Sequence, residues 1–101
     1  MEMNDRVILQ RRVPEGGYGG GYEVQAEAAV WGHLEEVSAS FRSRLGAAGM
    51  SVDKTLHMWR AEFGSLSPTH VVLNDGSDYR IDSVGTSLNE LLVKLVLVNS
   101  G

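Results

Sequence analysis

The feature that most constrains this chain is the sixteen-residue run from Tyr22 to Val37, YEVQAEAAVWGHLEEV. Even positions carry Tyr22, Val24, Ala26, Ala28, Val30, Gly32 and Leu34, and odd positions carry mainly Glu23, Gln25, Glu27, His33 and Glu35. Alternation of this kind predicts a β-strand with one dry face and one wet face. Strands usually run about five or six residues, so one this long has to bend or project from the body of the protein. Gly32 is the expected bend, because a residue without a side chain lets a strand coil sharply.

Other segments supply partners for that strand. Arg6–Val13 alternates Val7, Leu9 and Val13 against Arg6, Gln10 and Arg12, which predicts a first strand. Residues 1–5 are polar and expected to fray. Between the two strands lies Pro14-Glu15-Gly16-Gly17-Tyr18-Gly19-Gly20-Gly21, with five glycines in eight residues. Proline ends ladder pairing and the glycines permit positive φ, so a mobile hairpin loop at 14–21, tipped by Tyr18, is expected. A phosphate cradle would need a helix after the loop, usually with a lysine, and neither follows here.

Beyond the long strand the period changes. Val37, Phe41, Leu45 and Ala48 make the stripe of a short helix, with Ser38 as its cap and Arg42 and Arg44 beside the stripe. Those arginines are candidate basic contacts, or simply a solvated face. Val52–Phe63 reads as a third strand ended by Gly64-Ser65-Leu66-Ser67-Pro68. Val71–Asn74 and Asp78–Val84 flank Asn74-Asp75-Gly76-Ser77, an Asp-Gly signal for a hairpin. Leu91–Val98 is apolar on both faces except at Lys94, so it is either a central strand or one covered by another subunit, and because so small a domain has little chain left to cover both faces an oligomer interface is the expectation. The second alternative makes Val96 and Val98 candidate interface residues. Trp31 and Trp59, opposite the main apolar face of their strands, are either a second small cluster or exposed anchors for a partner.

Composition narrows function. The net charge of −4 argues against a general nucleic-acid binder, and the absence of cysteine rules out disulfides and thiolate metal sites. No apolar run approaches the length that spans a membrane, which leads to the expectation of a soluble, intracellularly made protein. One hundred and one residues suit one domain. His33, His57 and His70 lack ligand spacing, and His33 and His57 are expected to be surface imidazoles. Ser38, Ser40 and Ser43 have no nucleophile elbow around them. Glu35 and Glu36, being adjacent, point to opposite faces and cannot act as one carboxylate pair. No catalytic, cofactor or metal site is expected.

The ordered set of features resembles the head–tail joining proteins (adaptors, stoppers or head closure proteins) of long-tailed bacteriophages, prophages and gene transfer agents. The residues that carry this are Arg6-Val7-Ile8-Leu9-Gln10-Arg11, the loop with Tyr18-Gly19-Gly20, and Ala29-Val30-Trp31-Gly32-His33-Leu34. Thr55-Leu56-His57-Met58-Trp59-Arg60 and the closing Asp75-Gly76-Ser77-Asp78-Tyr79-Arg80-Ile81-Asp82-Ser83-Val84 complete the set. It covers about ninety residues, and its specificity lies in the order of the pieces rather than in any one of them. The resemblance implies a mainly β, small SH3-like barrel of about six strands with one short helix and a long glycine-rich loop. It implies no enzyme activity. It implies a homo-oligomeric ring, a hexamer or dodecamer, made in the bacterial cytoplasm and located in the virion neck. There it would close or gate the DNA channel without sequence-specific binding, below portal or adaptor proteins and above tail terminator or tail proteins. Gly16, Gly17, Tyr18, Gly19, Gly20, Gly21 and Tyr22 are then the candidate channel or partner contacts, and Val96, Val98, Trp31 and Trp59 the candidate subunit interface. The alternative is a monomeric SH3-like module that grips a peptide with Trp31, Trp59 or Tyr18.

Overall fold

The computed structural model describes residues 2–15, 20–36 and 52–99. They form six strands and one short helix: β1 Asp5–Pro14, β2 Tyr22–Glu36, β3 Val52–Trp59, α1 Arg60–Leu66, β4 His70–Leu73, β5 Asp78–Thr86 and β6 Leu92–Asn99. The strands close into an all-antiparallel barrel in the order β1-β2-β3-β6-β5-β4, the small SH3-like architecture expected from the sequence.

Alternate residues of each strand meet inside. Val7 and Leu9 of β1, Val30 of β2, Leu56 and Met58 of β3, Val71 of β4, Tyr79 of β5 and Val93, Leu95 and Leu97 of β6 make one continuous core. Burial of branched side chains of this kind contributes roughly 1.5–3 kcal/mol each, which offsets the ordering of so small a chain.

β2 is the longest element at 15 residues. Laid straight it would reach about 46 Å, more than the longest 41 Å dimension of the molecule. It therefore coils, and Gly32 is where it changes partner. Through Asp5↔Gly32 it pairs with β1, and from His33↔His57 onward it pairs with β3. A Cβ at Gly32 would lie 2.8 Å from the His57 carbonyl oxygen and 2.7 Å from a Leu56 methyl. Close backbone approach therefore demands glycine here, with no positive φ involved.

Two devices escape the simple alternation. Between Arg11↔Ala26 and Arg12↔Val24 the register shifts, leaving Gln25 as a β-bulge. The extra residue transfers Val24 and Tyr22 to the face that carries Arg12, so the even-numbered row is not one continuous dry face. The third strand also stops sooner than expected. Arg60–Leu66 is helical, because Ala61 and Glu62 favour a helix and Phe63 and Leu66, three apart, pack together against the core. Ser67 closes it at φ 50°, donating its N–H to the Phe63 carbonyl at 2.9 Å. Gly64 and Ser65, read as a turn in the sequence, lie inside this helix.

The remaining hairpin follows its turn chemistry. Gly76 adopts φ 89°, its N–H donates to the Leu73 carbonyl, and Asp75 accepts the Ser77 N–H at 2.9 Å. The Ser77 interactions, the hydroxyl foremost, hold the exposed Asp75 carboxyl below its ordinary range. β5 continues through Thr86, two residues beyond the Val84 end expected from the sequence. At the other end Asp5 is ordered within β1, and its carboxylate accepts the Leu34 N–H at 3.0 Å. The expected helix over Val37–Ala48 lies outside the described residues.

Candidate functional site: the hairpin arm and its seam

The β1–β2 hairpin outruns the rest of the sheet. β1 has β4 on its other side only from Val7 to Gln10, and β2 has β3 on its other side only from His33 to Glu36. The portion from Arg11 to Pro14 and from Tyr22 to Ala26 is therefore a two-stranded arm, closed at its tip end by the Glu15 N–H donating to the Gly21 carbonyl at 3.0 Å. The even row is dry only where the barrel covers it. Val30 is buried, whereas Val24 and Tyr22 are 40% and 51% exposed.

The root of the arm is fastened by charge and stacking. Arg12 donates two hydrogen bonds of 2.9 Å to the Asp78 carboxylate, with its guanidinium 4.5 Å from the centre of the Tyr22 ring. Tyr22 stacks in turn on His70 at 6.3 Å. A paired Arg–carboxylate fork is among the stronger polar contacts available, and Arg12 is almost wholly buried. Burial pushes the His70 imidazole below its ordinary pKa, with Arg12 acting in the same direction.

Because β4 is only four residues long, the barrel opens beyond it. Thr69 occupies the first place past β4: it donates N–H to the Gln10 carbonyl, accepts the Ile81 N–H on its own carbonyl, and accepts the Arg12 N–H on Oγ1. Past Thr69 no described strand lies between β1 and β5. The seam forms a groove of about 730 Å³, walled by Val13, Pro14 and Tyr22 on the arm, Phe63 and Pro68 below, and Arg80 to Val84 of β5. Ser83–Thr86 along this side of β5 are exposed.

A second groove of about 610 Å³ lies where Asp5, Arg6, Trp31 and Leu34 face Asn74 and Asp75. Trp31 is 48% exposed, with the Arg6 guanidinium 5.0 Å from its ring centre. Trp59 is also exposed, at the junction of β3 and α1. The two tryptophans sit on different strand pairs, opposite Arg6 and Leu92 respectively, and among the described residues no ring contact joins them.

The other candidate interface residues divide. Val98 is buried and Val96 half-buried within the single chain. β6 lies between β3 and β5 with Val93, Leu95 and Leu97 turned into the core, and Val98, 7% exposed, leaves little surface for a partner. Of the glycine loop, Gly20 (φ 66°), Gly21 and Tyr22 are exposed beside the seam. Gly16, Gly17, Tyr18 and Gly19 lie outside the described residues, as do Arg42 and Arg44.

His57 is not the surface imidazole its strand position suggests. It is 6% exposed and directly opposite His33, their rings 6.0 Å apart. Its Nε2 lies 2.8 Å from the Glu35 carboxylate and its Nδ1 2.6 Å from Ser87 Oγ. A carboxylate only accepts, so Nε2–H donates to Glu35 and Nδ1 of the neutral ring accepts the Ser87 hydroxyl proton. Burial drives the His57 pKa down, and Glu35 offsets that only in part. His33 donates from Nδ1 to the Glu2 carbonyl at 3.1 Å and holds Nε2 at 3.6 Å from the same Glu35 oxygen. Glu36 turns the other way, to Lys54. The Ser87–His57–Glu35 chain is one that sequence spacing missed; only the His33↔His57 register reveals it. Neither groove touches it, and its members are satisfied by one another, so it fastens the segment after β5 to β3. Among the described residues no group of three or more His, Cys, Asp or Glu is arranged to hold a metal ion.

No model of a known family matches this chain, and no curated protein matches it.

Proposed function

We propose that this chain is a structural ring subunit of a phage-type neck, in which copies of the barrel surround the DNA channel, close or gate it after packaging, and form the platform for tail attachment. The observation that carries the reading is the arm: a strand pair that leaves the barrel with the apolar Tyr22 and Val24 uncovered and the glycine loop at its end. An isolated barrel gains nothing from such a projection, whereas a ring uses it to reach a neighbour or the channel. The ordered resemblance along the chain and the small closed barrel point the same way. Portal or adaptor proteins above and tail proteins below are the partners this role requires. The acidic balance suits a wall that DNA passes without adhering.

The test is light scattering over a range of concentrations, alone and with portal–adaptor complexes. A neck subunit forms a discrete closed oligomer or joins the complex; a chain that stays monomeric and ignores the complex is something else. A second reading, a monomeric peptide-binding module, is favoured by the groove beside Trp31 and Arg6. It predicts monomers at every concentration.

A further inference from the structure

We propose that one copy of the chain joins the next by strand addition, the open edge of β2 pairing with the open edge of β5 in the neighbour's seam. This rests on the ring reading and names the surfaces that would build the ring.

From Tyr22 to Gly32, β2 is paired with β1 on one side, and no described strand lies on its other side. Its backbone N–H and C=O groups along that edge are a template for another strand. Proteins that must stay monomeric interrupt such edges with proline, lysine or early termination. This edge has no proline and no lysine over eleven positions; it carries the Gln25 bulge and the acids Glu23 and Glu27, which disfavour pairing with a second copy of the same edge. The chain carries a second open edge. Among the described residues β4 flanks β5 only through Arg80, Thr69 takes the Ile81 N–H, and Ser83–Thr86 have β6 as their one strand neighbour.

The two edges are different surfaces, each present once per copy. Pairing one with the other is a head-to-tail contact, which propagates around a rotation axis until it closes. Their side chains agree with that match. β2 presents the apolar Val24, 40% exposed, and β5 presents the apolar Val84, 47% exposed, while Arg80 of β5 is paired with Asp82 of its own strand at 3.6 Å. A β2-to-β2 contact would set acidic residues against each other across the ladder, which is unfavourable. The seam groove of about 730 Å³ gives the incoming strand room against Phe63, Pro68 and Ile81. A Cβ added at Gly85 would meet nothing within 4 Å, so a side chain can be placed on that face of β5 without strain.

The natural absence of cysteine makes a direct test simple. The double variant Gln25→Cys with Gly85→Cys is treated with a short bismaleimide at concentrations where the wild-type chain assembles. The expected product is a ladder of covalent oligomers up to ring size, while each single variant yields nothing larger than a dimer. Val24→Lys and Val84→Lys, both at exposed positions, should each weaken assembly at least tenfold while leaving the melting curve of the monomer unchanged. Rings that form but give no ladder overturn the edge pairing and leave the ring standing. A wild-type chain that never assembles overturns both.

Discussion

Gly32 lies against the His57 carbonyl where β2 passes from β1 to β3, and each of the two residues makes a prediction that single substitutions can check. Gly32→Ala places a Cβ 2.8 Å from a backbone oxygen, so the strands must part. A loss of about 1–3 kcal/mol in chemical denaturation is expected, typical of overpacking, whereas Gly85→Ala, with open space around it, should change little. For His57 and His70 the folded state favours the neutral ring, since both pKa values lie below the ordinary 6.5. The folded chain therefore binds fewer protons than the unfolded one near that pH, so stability is present above about 6.5 and lost as pH falls through the folded values. Urea midpoints measured from pH 7.5 to 5 should drop, and His57→Asn should flatten part of that slope. A midpoint that rises on acidification would contradict the buried neutral imidazole. Sequence showed Gly32 as a special position but suggested bending rather than close approach. His57 was misread because its strand face is wet by pattern, and the partners that bury it, Glu35 and Ser87, are brought in by pairing and by the segment after β5.

At the scale of elements, all six strands and the Asp75-Gly76 hairpin are legible because their periods and turn residues are local signals. The end of β3 was not, since Trp59 to Phe63 continues an acceptable strand pattern and only packing of Phe63 and Leu66 under the barrel turns it into α1. The bulge at Gln25 was invisible for a similar reason: even positions stay apolar or small across it, so nothing in the pattern marks the switch of face. That bulge decides how the arm is held, because it sets Tyr22 over Arg12. Arg12→Ala removes the two-pronged bond to Asp78 as well as the support under Tyr22. A loss of roughly 1.5–3 kcal/mol is expected, the range for hydrogen bonds to charged groups, and Asp78→Asn should lose less. If both are neutral in thermal melts, the arm is not fastened through this pair.

For the whole molecule, the structure moves the case for self-assembly from β6 to the arm. The apolar final strand is largely buried within its own chain, and among the described residues what lacks a second strand neighbour is the β2 edge of the β1–β2 hairpin together with the seam beyond β4. Deleting residues 16–20 should accordingly leave the barrel folded, by circular dichroism and melting, while particles completed with the variant lose packaged DNA or fail to join tails. Full infectivity of such particles would make the loop a mere connector. The central claim is that this barrel is built to form a closed ring, and sedimentation of the wild-type chain from dilute to concentrated solution tests it most directly. The account predicts a concentration-dependent passage from monomer to a single discrete oligomer with no larger species beyond it. A lone monomer boundary at every concentration, unchanged when portal–adaptor complexes are added, would contradict it.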